Sequence, residues 1–196
     1  RTMRPAAAIR LDVNGLWSVD EALIQLEKIY NEIGNIEYVE QPVATVEEMR
    51  ELKSRADFDL RIAADEVIRK AADPFAIDLS GAADVVMLKV QPLGGITRAL
   101  AIADHHKLPV VVSSALESAV GIHYGLELAA TVKDLSFDCG LATGSLMAAD
   151  VAHLPIVEGA IELGDLDIKL DGLDVASDRY EWWKNRAMRC AEVLGI

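Results

Sequence analysis

Four residues with reactive or ligating side chains, Asp12, Glu40, Asp65 and Lys89, each close a short apolar run, over residues 9–14, 36–42, 60–66 and 85–89. They follow one another at separations of 28, 25 and 24 residues, about the length of one strand, one helix and two loops. That period predicts parallel βα units, and in a parallel barrel every strand end opens on the same face. The four side chains are therefore expected to meet in space. Three carboxylates held that close repel one another unless a cation lies between them. An all-oxygen set of this kind suits Mg2+, with Mn2+ as the alternative. Taken singly, an aspartate at a strand end is more often a turn or cap residue, and a lysine there more often snorkels into solvent. The joint spacing is what points to chemistry.

The elements that must position these residues can be read along the chain. Strands are expected over 8–13, 36–40, 60–64, 84–89 and 109–112, with a short sixth near 136–139. Ser18 with Glu21, and Thr45 with Glu48, form capping boxes that start the first two helices. Leu23, Leu26, Tyr30 and Ile33 then make an apolar stripe ending at Gly34, and Met49 and Leu52 face inward from the second helix. A short helix follows Pro74, and longer ones are expected over 96–106 and 118–132. The last, over about 178–194, carries Tyr180, Trp183, Ala187 and Ala191 on one face. Trp17, Trp182 and Trp183 read as core or interdomain packing. Six units are fewer than the eight of a closed (β/α)8 barrel. An open doubly wound sheet is the alternative, but payloads on four consecutive strand ends favour a barrel.

Composition narrows the partners. A hydrophobic content of 52% with only 5% aromatics, over 196 residues, suits a parallel sheet covered by helices. A net charge of −13 argues against nucleic acid and against an anionic membrane, since both select a basic face. No apolar run approaches the ~18 residues of a membrane span. The first five residues, Arg-Thr-Met-Arg-Pro, lack the apolar centre of a secretory signal. Cys139 and Cys190 lie 51 residues apart without a CxxC pattern, so neither a disulfide nor a zinc site is expected. His105, His106, His123 and His153 show no ligand spacing. The expectation is a cytoplasmic protein acting on a small molecule; oligomeric state is not readable.

Five motifs, in this order, resemble the o-succinylbenzoate synthase family of the enolase superfamily. They are Arg10-Leu11-Asp12-Val13-Asn14-Gly15-Leu16-Trp17, Tyr38-Val39-Glu40-Gln41-Pro42, Ile62-Ala63-Ala64-Asp65-Glu66, Leu88-Lys89-Val90-Gln91-Pro92-Leu93-Gly94-Gly95 and the stretch 111–121 around Ser113 and Ser114. The loop 139–144, Cys-Gly-Leu-Ala-Thr-Gly, resembles the family's last barrel strand. The resemblance implies a (β/α)8-type barrel present here as about six βα units, without the capping domain and first strands. Residues 1–156 would be the C-terminal part of the barrel. Residues 157–196 would be a segment and helix packing on the barrel or on the capping domain.

The same resemblance implies roles. Asp12, Glu40 and Asp65 would ligate Mg2+, which stabilises an enediolate beside a substrate carboxylate; pairing such a metal with a lysine or histidine base is the superfamily's pattern. Lys89 would face the substrate as a cation. Asn14 and Glu66 would orient the ligands. Ser113 and Ser114, with nearby backbone N–H groups, would hold the substrate's succinyl carboxylate. The implied reaction is loss of water from 2-succinyl-6-hydroxy-2,4-cyclohexadiene-1-carboxylate to give 2-succinylbenzoate, in menaquinone biosynthesis. The residues by themselves reach only metal-assisted proton abstraction beside a carboxylate. The same set would serve an N-acylamino acid or dipeptide racemase-epimerase, or a cycloisomerase. The family's base is the second lysine of a Lys-x-Lys pair about thirty residues ahead of the first aspartate; here eleven residues precede Asp12 and none is lysine. A segment of a longer polypeptide and a non-catalytic barrel fragment both accommodate that.

Overall fold

The computed structural model describes residues 7–171 and 174–196. The first five residues, read above for a leader, lie outside that range. The order is β1 (Ile9–Asp12), α1 (Val19–Ile33), β2 (Ile36–Glu40), α2 (Val46–Arg55), β3 (Ile62–Ala64), α3 (Glu66–Arg69), a 3-10 turn at Pro74–Ala76, β4 (Val85–Leu88), α4 (Val90–Leu93), α5 (Ile96–His106), β5 (Val110–Val112), α6 (Ala119–Thr131), a second 3-10 turn at Thr143–Leu146 and α7 (Ser177–Leu194). The five strands form one sheet in sequence order, every neighbouring pair parallel. This is the helix-covered half of a (β/α)8-type barrel.

The two faces of the sheet bury different residues, as a period of two demands. Val39, Ile62, Ala64, Val86, Leu88, Val110 and Val112 join the large core under the helices. Tyr38, Ala63, Val85, Met87 and Val111 pack together on the other face, with Phe137 against them. Continuing that alternation beyond each strand puts Asp12, Glu40, Asp65, Lys89 and Ser113 on the inner side, at the C-terminal ends. The register pairs Asp12 with Glu40 directly, one pleat above Arg10 and Tyr38.

Both capping boxes form: Ser18 and Glu21 bond each other's backbone, as do Thr45 and Glu48. Gly34 ends α1 in the left-handed conformation, φ 77°. Ser18→Ala and Thr45→Ala are each expected to lower stability by about 1 kcal/mol, read by urea unfolding. The buried stripe of α1 is Val19, Ala22 and Leu26, with Leu23 and Tyr30 partly buried; Ile33, expected to belong to it, is exposed.

One expectation changes. The sixth strand over 136–139 is reduced to a single parallel bridge between Ser113 and Gly140. Its sequence, Ser-Phe-Asp-Cys, alternates polar and apolar residues, but Arg10 Nη1 takes the Asp138 carbonyl at 2.6 Å. Among the described residues there are thus five strands, not six. Trp17 packs against the large core, but Trp182 and Trp183 do not: they stack edge-on with each other at 4.6 Å, under Arg179, on an exposed helix. Of the expected packing face of α7, only Ala191 is half-buried within this chain. Among the described residues no helix is long and apolar enough to cross a membrane.

Candidate active site

Each strand-end residue is presented by a sharp turn. After β1, Asp12 accepts the Asn14 N–H at 3.0 Å, and Asn14 and Gly15 take positive φ (54° and 71°), so the chain reverses at once. Asn14, expected to orient the ligands, contacts Asp12 here through its backbone amide. After β3, Asp65 is the residue from which α3 springs, and after β4, Lys89 does the same for α4. These two one-turn helices were invisible as apolar patterns, and they turn Asp65 and Lys89 inward.

Lys89 lies between the carboxylates. Its ammonium donates to Asp65 Oδ2 at 2.7 Å and reaches Glu40 Oε1 at 3.5 Å. Asp65 is almost fully buried and also accepts Arg69 Nε at 3.0 and 3.1 Å. Arg69 forms a close ion pair with Glu66 Oε1, while Glu66 Oε2 is buried without a partner. Burial pulls the Lys89 pKa down, but the Asp65 hydrogen bond and charge, with Glu40, outweigh it and hold the ammonium above its ordinary range. Glu40 goes the other way: burial, then the charge of Asp12, push its carboxyl up to about 7 against the opposing pull of Lys89.

The serine segment departs from expectation. The Ser113 N–H bonds Leu88 O and the Ser114 N–H bonds Gly140 O, both at sheet positions. The Ala115 N–H is taken by the Glu117 carboxylate at 2.9 Å. The Leu88 and Gly140 carbonyls and the Glu117 carboxylate therefore occupy amides that were expected to hold an anion. What remains are hydroxyls: Ser113 and Ser114 both donate to Gly140 O, and Ser114 Oγ meets Thr143 Oγ1 at 2.6 Å.

Among the described residues no three His, Cys, Asp or Glu side chains stand in metal-ligating geometry. Lys89 and Arg69 take that place between the carboxylates. The charge balance nevertheless fits a divalent ion. Asp12, Glu40, Asp65 and Glu66 bring four negative charges and Lys89 and Arg69 two positive ones, leaving two unbalanced. Lys70, mostly exposed and 4.0 Å from Glu66, adds little. At Glu40, burial first and the neighbouring charge of Asp12 second favour a bound proton, and a cation there would relieve both. Hard oxygen donors on adjacent strand ends are the donor chemistry of Mg2+.

A pH experiment follows from Glu40. Unfolded, it ionises near 4.5; folded and metal-free it holds its proton to about 7. Its neutral form is therefore favoured by folding, and the contribution is complete below 4.5 and lost as pH rises through that window. A shift of this size corresponds to about 3 kcal/mol. Glu40→Gln is expected to stabilise the metal-free protein near pH 8 and to be neutral near pH 4, read by thermal unfolding with a chelator present.

Two residues of the site went unassigned in the sequence. Arg69 sits four residues after Asp65 and three after Glu66, the spacing of a helical ion pair, but the helix carrying it is only one turn long. Gln41 was one letter of a motif; its signal is a polar residue buried between an apolar strand and a proline.

The sequence matches the family described as enolase C-terminal domain-like over residues 1–168. It is 47% identical over 190 residues to the o-succinylbenzoate synthase of Mycobacterium ulcerans, covering 95% of this chain and 57% of that protein. It is 48% identical over 191 residues to the one from Mycobacterium leprae, covering 95% and 56%. The fold superposes on muconate cycloisomerase from Pseudomonas fluorescens with a TM-score of 0.71 at 27% identity, covering 85% of this chain and 48% of that one. The chain thus spans a little over half the length of the curated relatives it matches.

Proposed function

The chain belongs to the enolase C-terminal domain-like family, and from that premise we propose that it supplies the metal-holding half of an o-succinylbenzoate synthase. The reaction is dehydration of 2-succinyl-6-hydroxy-2,4-cyclohexadiene-1-carboxylate to 2-succinylbenzoate, in menaquinone biosynthesis in the cytoplasm. The observation that carries this reading is the Glu40–Lys89–Asp65 bridge with Asp12 in register beside it, which leaves two negative charges unbalanced.

Asp12, Glu40 and Asp65 would hold Mg2+, which when bound would supply Lewis-acid stabilisation of negative charge beside a substrate carboxylate. This chain's own residues do the rest. Lys89, kept charged by Asp65, places an ammonium against the developing anion, where a buried charge acts most strongly. Arg69 holds Asp65 from behind through both of its oxygens and ties Glu66 to the same guanidinium, fixing the carboxylate before substrate arrives. The Ser113, Ser114 and Thr143 hydroxyls, set around Gly140 O, offer a neutral polar lining for the distal end of the substrate. The base that takes the α-proton is assigned by resemblance to a lysine ahead of Asp12, outside these 196 residues.

The test is to give the purified protein carrying this chain the cyclohexadiene substrate with Mg2+ and follow the absorbance of the aromatic product. Aromatisation abolished by chelator and by Lys89→Met is the expected result. Deuterium exchange at the α-carbon of N-succinylamino acids, with no aromatisation, would assign the site to a racemase instead.

A further inference from the structure

We infer that Gln41 is a positioning residue that sets the mutual spacing of Asp12, Glu40 and Asp65. It builds on the reading of those carboxylates as cation ligands and names the residue that fixes their geometry. The Gln41 side chain is fully buried, with relative exposure of 0%. Its Oε1 accepts the backbone N–H groups of Asp65 at 3.1 Å and Val67 at 3.3 Å. Its Nε2 donates to Val43 O at 2.8 Å and lies 3.7 Å from Met49 Sδ. Both acceptor positions and both donor hydrogens of the amide are thereby engaged, so the group has one orientation.

The backbone of the same residue completes the linkage. The Gln41 N–H bonds Ala63 O at 2.9 Å, and its carbonyl accepts the Gly15 N–H at 2.7 Å. One residue is thus tied to the turn after β1, which carries Asp12, and to the turn after β3, which carries Asp65. Its own neighbour in the chain is Glu40. Each carboxylate sits on a turn that Gln41 holds.

The conformation is one the chain adopts only under constraint. Gln41 has φ 38°, in the left-handed region, although it is neither glycine nor asparagine and precedes Pro42, which disfavours helical conformations. Surrounding hydrogen bonds over-determine it, as happens where backbone strain serves a site. The consequence concerns ion size. Mg2+ demands short, near-octahedral oxygen contacts, whereas Ca2+ accepts longer and looser ones. A rigid spacing across three turns favours the smaller ion, and releasing it costs Mg2+ more than Ca2+.

The experiment compares Gln41→Ala with Leu52→Ala, a buried residue of α2 chosen as a control for loss of stability alone. Mg2+ and Ca2+ affinities are measured by calorimetry on folded protein, and both variants are crystallised. In Gln41→Ala, Mg2+ affinity is expected to fall roughly 10–100-fold, the range for residues that support metal ligands, with a smaller fall for Ca2+. The Glu40–Asp65 carboxylate separation is expected to change in Gln41→Ala and not in Leu52→Ala. An unchanged Mg2+-to-Ca2+ preference, or the same losses in both variants, would overturn the role. Gln41→Asn, which keeps the amide but is one methylene short, is read the same way where Gln41→Ala does not fold. Should the unaltered protein bind no Mg2+, the metal reading fails by itself; the crystal arm then still decides whether Gln41 sets the carboxylate spacing.

Discussion

Lys89→Met is expected to remove turnover while strengthening Mg2+ binding. In the metal-free protein the Lys89 ammonium is the cation shared by Glu40 and Asp65, so it competes with any metal for the same oxygens. Methionine fills a similar volume without charge. The enediolate then loses the buried positive charge facing it, for which a drop in kcat of roughly 10²–10⁴-fold is the ordinary scale. Without metal, two buried carboxylates are left facing each other, and breaking a buried pair in this way costs about 3–5 kcal/mol. Mg2+ is expected to restore most of that stability and to bind more tightly than to the unaltered protein. Stopped turnover with tighter binding distinguishes this account from one in which Lys89 only supports the fold, where both would weaken together.

Asp65→Asn is the second large effect, with the opposite sign at the metal. Asp65 is the meeting point of Lys89, Arg69 and the Gln41 amide, and it is nearly inaccessible to solvent. An amide there has the same shape, but it gives up a charge and turns one acceptor into a donor facing two cations. Mg2+ affinity is expected to fall by about 100-fold or more, with a stability loss of about 3 kcal/mol from the unpaired lysine and arginine. Calorimetry and urea unfolding on one preparation check both. Unlike Lys89→Met, this variant is not expected to recover stability when Mg2+ is added.

Much of this site was legible before the structure because its signals are periodic. The runs ending in Asp12, Glu40, Asp65 and Lys89 recur at βα length, and a strand buried on both faces reads as an unbroken apolar stretch, as Val85–Leu88 does. The capping boxes at Ser18 and Thr45 were legible because they depend on two residues at a fixed local offset. What escaped has no period. The one-turn helices α3 and α4 are too short to show a stripe, so Arg69 could not be placed against Asp65. Gln41 acts across 24 residues through backbone amides, which carry no side-chain signature. The amides near Ser113 and Ser114 seemed free for an anion because nothing in the sequence announces that Leu88 and Gly140 carbonyls will take them.

The central claim is that the strand-end carboxylates hold one divalent cation in place of a proton. It is tested most directly by calorimetric titration of Mg2+ into the metal-free protein near pH 7, repeated in buffers of different ionisation enthalpy. One Mg2+ per chain is expected, with release of a substantial fraction of a proton, because Glu40 titrates at about that pH. Both the binding and the proton release should disappear in Asp65→Asn. Saturable binding that persists undiminished in that variant, or no binding at millimolar Mg2+ in the unaltered protein, would contradict it.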